Sequence, residues 1–125
     1  MWNIFGGDLV LPGDPDYKAA LHRWSVIVVL PVGLVAYPKT PEGVSHVIKF
    51  ATENKYDDLA VRGGGHSPSA ASSTDGDVVI DPSLYFAGCG VTERDNQSVA
   101  NVGGCIWKRL MKQRSSMVWL RLVAL

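Results

Sequence analysis

Two apolar runs separated by a capped helix constrain the fold of this chain more than any other feature. Leu34–Tyr37 is short, apolar and followed by Pro38, which is typical of a buried strand. Thr40-Pro41-Glu42 then supplies an N-cap, a proline suited to the first helical position and an acid facing the positive end of the helix dipole. A second apolar run, Leu59–Val61, comes after the helix. This order of strand, helix and strand predicts a βαβ unit with parallel strands.

The flanking segments predict the other elements of an α+β fold. Asp8–Tyr17 combines a short strand with a turn, Asp77–Asp81 is typical of a compact buried strand, and a hairpin is predicted around Asn96-Gln97. We also expect two helices, each packing through one apolar face, because their apolar residues recur at helical spacing. These faces comprise Tyr17, Ala20, Leu21 and Trp24 in the first helix, and Val44, Val47, Ile48 and Ala51 in the second.

A run of three glycines follows the second strand of the βαβ unit. Because Gly63–Gly65 have no Cβ atoms, the backbone there can adopt positive φ and approach a ligand closely. Successive N–H groups in such a turn form a concavity that binds anions. Arg62 and Ser67 add donors, and His66 adds an imidazole that can act as a base, a ligand or a nucleophile. Ligands of βαβ units collect beyond the carboxyl ends of the strands, where this loop lies.

Taken alone, the hexapeptide Arg62–Ser67 fits an anion site and a solvated glycine loop equally well. Other phosphate-binding α/β classes are disfavoured, since the loop lacks the Gly-Lys-Ser/Thr of a P-loop and the GxGxxG spacing of a dinucleotide-binding turn. A second glycine turn, Gly103–Trp107, leads into another predicted helix. It is either a second backbone approach to the ligand or a helix start that needs glycine.

Composition limits the remaining function classes. The chain has 125 residues with 12 basic and 12 acidic side chains, so its net charge gives no electrostatic basis for binding nucleic acid or an anionic membrane. We see no signal peptide at the start, and the apolar run Val26–Ala36 is too short to span a membrane. Cys89 and Cys105 lack zinc-ligand spacing. We therefore expect a soluble protein with no metal, nucleic-acid or membrane partner.

The motifs in this order resemble a known family. They are the strand ending at Tyr37-Pro38, the Thr40-Pro41-Glu42 helix start, Ala60–Ser67, Val78–Asp81, the hairpin and Val102–Trp107. Together they resemble the PCMH-type FAD-binding domain of the vanillyl-alcohol oxidase and p-cresol methylhydroxylase superfamily. The berberine-bridge-enzyme-like FAD-linked oxidoreductases are the most similar branch. The resemblance runs from about Gly7 to about Leu110. It implies an α+β subdomain in which the βαβ unit is followed by short strands and a hairpin.

The resemblance implies FAD as the cofactor. Gly63, Gly64, Gly65 and Ser67 would hold the pyrophosphate, with Arg62 placing or supporting the loop. His66 would be joined covalently to the 8α-methyl group of the isoalloxazine. The flavin would then oxidise a small alcohol, sugar or related substrate, with O2 as the acceptor, while the protein orients it.

Members of the family usually extend to several hundred residues and carry the catalytic base in a separate substrate domain. Residues 1–112 are therefore predicted to be the N-terminal part of the FAD-binding domain, which is incomplete here. Residues 113–125 are predicted to be an atypical tail from a truncated or misread gene product. The alternative function is a catalytically inactive flavin-binding fragment without the substrate domain. Neither interpretation assigns a catalytic residue.

Overall fold

A four-stranded sheet covered by one long helix forms the centre of the chain in this computed structural model. The structure describes residues 5–94 and 97–102, and for the strands after residue 88 it describes the backbone alone. The strands are β1 (Gly7–Val10), β2 (Leu34–Pro38), β3 (Leu59–Val61), β4 (Val78–Ile80), β5 (Cys89–Arg94) and β6 (Gln97–Val102). The helices are α1 (Tyr17–Ala20) and α2 (Pro41–Glu53), with a 3-10 turn at Val26–Val28.

The predicted βαβ unit is confirmed, with one strand inserted into it. The sheet order is β1-β2-β4-β3, so β4 lies between the two strands of the unit. Both β2 and β3 run parallel to β4, whereas β1 pairs antiparallel with β2. The connecting helix α2 begins as expected, because the Thr40 hydroxyl accepts a hydrogen bond from the Gly43 N–H at 3.1 Å. The expected hairpin is also present, since β5 and β6 form a separate antiparallel pair.

The sheet buries apolar residues on both faces. Because side chains alternate along a strand, neighbouring residues of β2 and β4 enter different core clusters. One cluster packs under α2 and contains Phe5, Leu34, Ala36, Val47, Ala51, Val78 and Ile80. The other packs beside α1 and contains Ala20, Val32, Val35, Ala60 and Val79. Strand β4 is buried throughout, which fits its place between two parallel strands.

Three residues expected to pack in the core are exposed instead. Helix α1 ends at Ala20, so Trp24 lies beyond the helical face and is 73% exposed. Ile48 lies at the border of the α2 stripe and is 44% exposed. Val61 is 58% exposed because β3 is the edge strand of the sheet. The predicted faces were therefore too wide by one residue each.

Other sequence predictions lie outside the described residues. These are the second glycine turn at Gly103–Trp107, the helix after it, the domain boundary at residue 112 and the tail 113–125. Within the described part, no helix is long and apolar enough to cross a membrane. The same part holds no group of three or more potential metal-ligating His, Cys, Asp or Glu side chains.

Candidate functional site

Arg62 and Asp81 meet at the carboxyl end of two neighbouring parallel strands. The register pairs Val61 of β3 with Ile80 of β4, so the residues that follow them, Arg62 and Asp81, lie side by side. The Arg62 N–H donates to the Ile80 carbonyl at 2.9 Å, and the Asp81 N–H donates to the Ala36 carbonyl at 2.8 Å. These backbone bonds fix both residues before any side-chain contact forms. The Arg62 Nη1 then donates to the Asp81 Oδ2.

The resulting ion pair is largely removed from water. The Asp81 side chain is fully buried and that of Arg62 is 16% exposed. The second carboxylate oxygen, Oδ1, accepts a hydrogen bond from the Ser83 N–H at 2.9 Å. Both Asp81 oxygens are thus occupied, whereas the Arg62 Nε is buried without a hydrogen-bond partner among the described residues.

Gly65 passes between two arginine side chains. Its φ is +69°, and a Cβ built there would lie 3.1 Å from the Arg62 Nε and 3.5 Å from the Arg23 Cδ. A larger residue would therefore be strained in its backbone and crowded against Arg62. A Cβ at Gly63 would meet nothing within 4 Å, so that part of the loop borders open space. The loop consequently packs against two arginine side chains at Gly65 and borders open space at Gly63, and His66 is exposed.

Several backbone N–H groups of this loop have no hydrogen-bond acceptor among the described residues. In the described part of the chain, no protein acceptor receives a hydrogen bond from the N–H groups of Gly63, Gly64, Gly65 or His66. The Gly65 carbonyl accepts from the Trp24 N–H at 3.1 Å, which ties the loop to the segment after α1. The Ser67 hydroxyl lies 3.0 Å from that of Ser69 and accepts from the Ser69 N–H at 3.3 Å, so it also shapes the following turn. Free N–H groups in series are what an anion requires.

Arg23 is a second buried cation beside the loop. It is 2% exposed, and its guanidinium donates to the carbonyls of Ser72, Ala20 and His22 rather than to a carboxylate. Burial, and then the charge of Arg62, lower the pKa of the Arg23 guanidinium, while Asp81 and Tyr37 act in the opposite direction. An arginine remains protonated under such shifts. Of the two cations beside the loop, only Arg62 is paired with a carboxylate among the described residues.

The loop from Pro68 to Gly76 brings further unpaired groups into this region. Ser72, Ser73 and Thr74 are all buried. The hydroxyls of Ser72 and Thr74 have no hydrogen-bond partner among the described residues. Buried polar atoms are normally satisfied, and leaving one unpaired costs about 1–3 kcal/mol. Arg62 and this loop thus hold three buried polar atoms without a hydrogen-bond partner among the described residues.

Substituting Ala70 by glycine is expected to stabilise this loop. Ala70 adopts φ +59°, a left-handed conformation that disfavours a residue with a Cβ, and its carbonyl accepts from the Ser73 N–H at 2.9 Å. Relief of that strain, less the added entropy of the unfolded chain, should raise the free energy of unfolding by about 0.5–1 kcal/mol. Urea denaturation measures the change.

Ala71→Gly is the matched control, because Ala71 is exposed and has no positive φ. It should lower the free energy of unfolding by about 0.4–1 kcal/mol. Equal changes in the two variants would contradict the assignment of strain to Ala70.

The structure brings Arg62 and the glycines Gly63–Gly65 together at one sheet end, with His66 and Ser67 continuing the same loop. Asp81, Arg23, Ser72 and Thr74 belong to the same region and were not named from the sequence. Asp81 had a signal, since opposite charges directly follow two predicted strands. Arg23 had none, because its carbonyl partner Ser72 lies 49 residues away.

The comparisons with known proteins fit this geometry. The chain is 35% identical over 78 residues to an uncharacterised FAD-linked oxidoreductase of Bacillus subtilis strain 168, a match covering 62% of this chain and 17% of that protein. It is 27% identical over 75 residues to (R)-6-hydroxynicotine oxidase of Paenarthrobacter nicotinovorans, covering 60% and 16% respectively. The chain thus spans about a sixth of the length of these relatives.

The fold comparison gives the same architecture. The crystal structure of 6-hydroxy-D-nicotine oxidase from Arthrobacter nicotinovorans superposes with a TM-score of 0.77 at 24% identity, over 88% of this chain and 24% of that one. The α+β fold predicted from the sequence is confirmed. A sequence model of the FAD binding domain matches residues 32–122, well over half of the chain. The chain therefore belongs to the FAD-binding domain family of FAD-linked oxidoreductases.

Proposed function

We propose that the loop Arg62–Ser67 holds the pyrophosphate of FAD, with the phosphate oxygens received by the backbone N–H groups of Gly63–His66. The observation that carries this assignment is the buried positive charge behind the loop. Arg62 is paired with Asp81, whereas the Arg23 guanidinium donates to backbone carbonyls alone among the described residues, so within this part of the chain the Arg23 cation has no carboxylate partner. Burying an unpaired charge is costly, and a pyrophosphate beside it would supply the missing negative charge.

The donor set supports a phosphate rather than a simple carboxylate. The N–H groups of Gly63–His66, which have no acceptor among the described residues, are consecutive along the loop, and the Arg62 Nε is a buried donor against Gly65. Ser72 and Thr74 offer two further hydroxyls on the neighbouring loop. Together these groups can satisfy more oxygens than one carboxylate possesses. Membership of the FAD-binding domain family indicates which phosphate ligand this is, because FAD carries a pyrophosphate between its two halves.

His66 is proposed as the residue that bonds covalently to the 8α-methyl group of the flavin. Its side chain is exposed at the open side of the loop, directly after the glycines that would receive the pyrophosphate. A covalently held flavin would supply the oxidation of a small alcohol, sugar or related substrate, with O2 as acceptor. The described residues contribute binding and orientation. The catalytic base is assigned to no residue of this chain.

A second candidate function is flavin binding without turnover. The observation favouring it is that the groups assigned among the described residues bind or orient the flavin, and none of them is assigned as a catalytic base. Such a chain would bind FAD through the same loop and would oxidise no substrate. Anaerobic reduction of the bound flavin by added alcohols and sugars distinguishes the two, since bleaching of the flavin absorbance requires turnover.

Binding itself is tested by titrating the full chain with FAD and following the flavin fluorescence. ADP contains the pyrophosphate and lacks the isoalloxazine, while riboflavin contains the ring and lacks the pyrophosphate. With oxygen excluded, so that no bond to His66 forms, the proposal expects ADP to displace FAD and riboflavin to compete weakly. A folded chain that binds riboflavin as tightly as FAD, or ignores ADP, would exclude the pyrophosphate assignment.

A further inference from the structure

Arg23 lies where the two loops of the candidate site meet. Its Cδ would be 3.5 Å from a Cβ at Gly65, and its Nε and Nη2 donate to the Ser72 carbonyl at 3.2 and 2.8 Å. We propose that Arg23 is a positioning residue that holds the Ser72–Thr74 segment in register with the glycine loop and thereby sets the affinity for the pyrophosphate. This inference rests on the proposed function of the loop.

The guanidinium makes contacts that a shorter or unforked side chain cannot reproduce. Two nitrogens converge on the Ser72 carbonyl, while Nη1 donates to the carbonyls of Ala20 and His22 at 3.2 and 3.0 Å. One planar group therefore joins the end of α1 to a loop 49 residues further along the chain. A lysine ammonium carries the same charge but has no planar fork, and its donors radiate from a single nitrogen.

The segment that carries Arg23 is itself anchored on both sides. The Trp24 N–H donates to the Gly65 carbonyl at 3.1 Å, so adjacent residues hold the two loops of the site. At the other end, Ala20 is buried in the second core cluster, and the Tyr17 hydroxyl donates to the Val32 carbonyl at 2.6 Å. A displacement of Ser72 relative to Gly65 must therefore break a bond to a fixed part of the core.

The unpaired hydroxyls of Ser72 and Thr74 connect this anchoring to ligand binding. Arg23 occupies the Ser72 carbonyl and leaves the Ser72 hydroxyl free, and Thr74 two residues later is also free among the described residues. A segment that served stability alone would gain by pairing these groups. Held by its backbone, it instead carries two buried, unpaired hydroxyls on the loop that Arg23 joins to Gly65, and donors preorganised in this way are what a ligand site requires.

Arg23→Lys in the full chain tests the inference, with Lys18→Gln as the control because Lys18 is an exposed residue of helix α1, which precedes Arg23. Circular dichroism first establishes that each variant is folded. We expect the Kd for ADP to rise about tenfold in Arg23→Lys, the size typical of losing a contact that supports a ligand-binding group. The control should keep the Kd of the unsubstituted chain.

Two further readouts separate positioning from general stability. Hydrogen exchange without ligand should accelerate at residues 70–74 in Arg23→Lys and stay unchanged in α2. Adding methylguanidinium to Arg23→Ala should restore ADP affinity, while ethylammonium should not. The inference is overturned if folded Arg23→Lys binds ADP within twofold of the unsubstituted chain, or if its exchange rises uniformly. Failure of the unsubstituted chain to bind ADP would count against the proposed function alone, because the exchange pattern still decides whether Arg23 holds the loop.

Discussion

Replacing Asp81 by asparagine is expected to destabilise the chain more than any other conservative change in the site. Asp81 is fully buried, and its Oδ2 is the carboxylate partner of Arg62. The asparagine NH2 must face either the Arg62 Nη1 or the Ser83 N–H, because both carboxylate oxygens accept hydrogen bonds, so two donors would face each other in either orientation. Breaking a buried ion pair typically costs about 3–5 kcal/mol. Because Arg62 keeps some exposure, we expect a loss near the lower end, about 3 kcal/mol in the free energy of unfolding.

Guanidinium chloride denaturation at neutral pH and without flavin measures this loss. Asp8→Asn is the matched control, because Asp8 also pairs with a cation, Lys39, at 3.1 Å, but on the surface with side chains 47% and 44% exposed. Water screens such a pair, so the control should change the midpoint far less. Similar denaturation midpoints for the two variants would mean that the buried Arg62–Asp81 pair stabilises the chain no more than the surface pair does.

The same variant gives information about the ligand. Asp81→Asn retains Arg62 and Arg23 and removes the carboxylate that is paired with Arg62. An anion that binds only the folded chain stabilises it by a free energy that rises with the logarithm of the anion concentration divided by Kd. Inorganic pyrophosphate should therefore recover more stability in Asp81→Asn than it adds to the unsubstituted chain. The difference between the two gains in the free energy of unfolding measures how strongly the positive charge beside the loop attracts the anion.

Local patterns were sufficient for the elements that position this site. The strand Leu34–Pro38 and the helix with its Thr40 cap depend on residues within one turn or one strand of each other, and both are present as predicted. The position of β4 depends on pairing across the sheet, which no local pattern contains. Once β4 is placed beside β3, however, the meeting of Arg62 and Asp81 follows from the register. The missing information was therefore the strand order rather than the chemistry.

The region around Arg23 and Trp24 could not be predicted for a different reason. Helical spacing assigned Trp24 to a packed face, but the chain leaves the helix at Ala20 and gives the Trp24 N–H to the Gly65 carbonyl. Arg23 is buried because backbone carbonyls from distant residues receive its guanidinium. Sequence patterns detect apolar or polar side chains that recur at a regular spacing. A single cation buried by backbone acceptors has no periodicity to detect.

Acid-stable attachment of flavin at His66 is the second large effect we expect. The full chain, incubated with FAD in the presence of dissolved oxygen, should retain yellow colour and flavin fluorescence after acid precipitation. His66→Ala should lose all of the acid-stable flavin. It should still bind FAD reversibly, and ADP should displace that FAD. Oxygen is required because replacing a methyl C–H bond by a C–N bond is a two-electron oxidation, and the electrons need an acceptor.

His22→Ala controls for modification of exposed histidines in general, since His22 is also exposed and lies close to the site in sequence next to Arg23. It should retain the acid-stable flavin in full. Mass spectrometry of the digested chain locates the attached flavin on the peptide that contains His66. Flavin retained by His66→Ala after acid treatment, or found on the His22 peptide, would show that the bond forms elsewhere. An unmodified chain that binds FAD reversibly would confine the role of the loop to holding the pyrophosphate, with His66 left as an exposed side chain beside it.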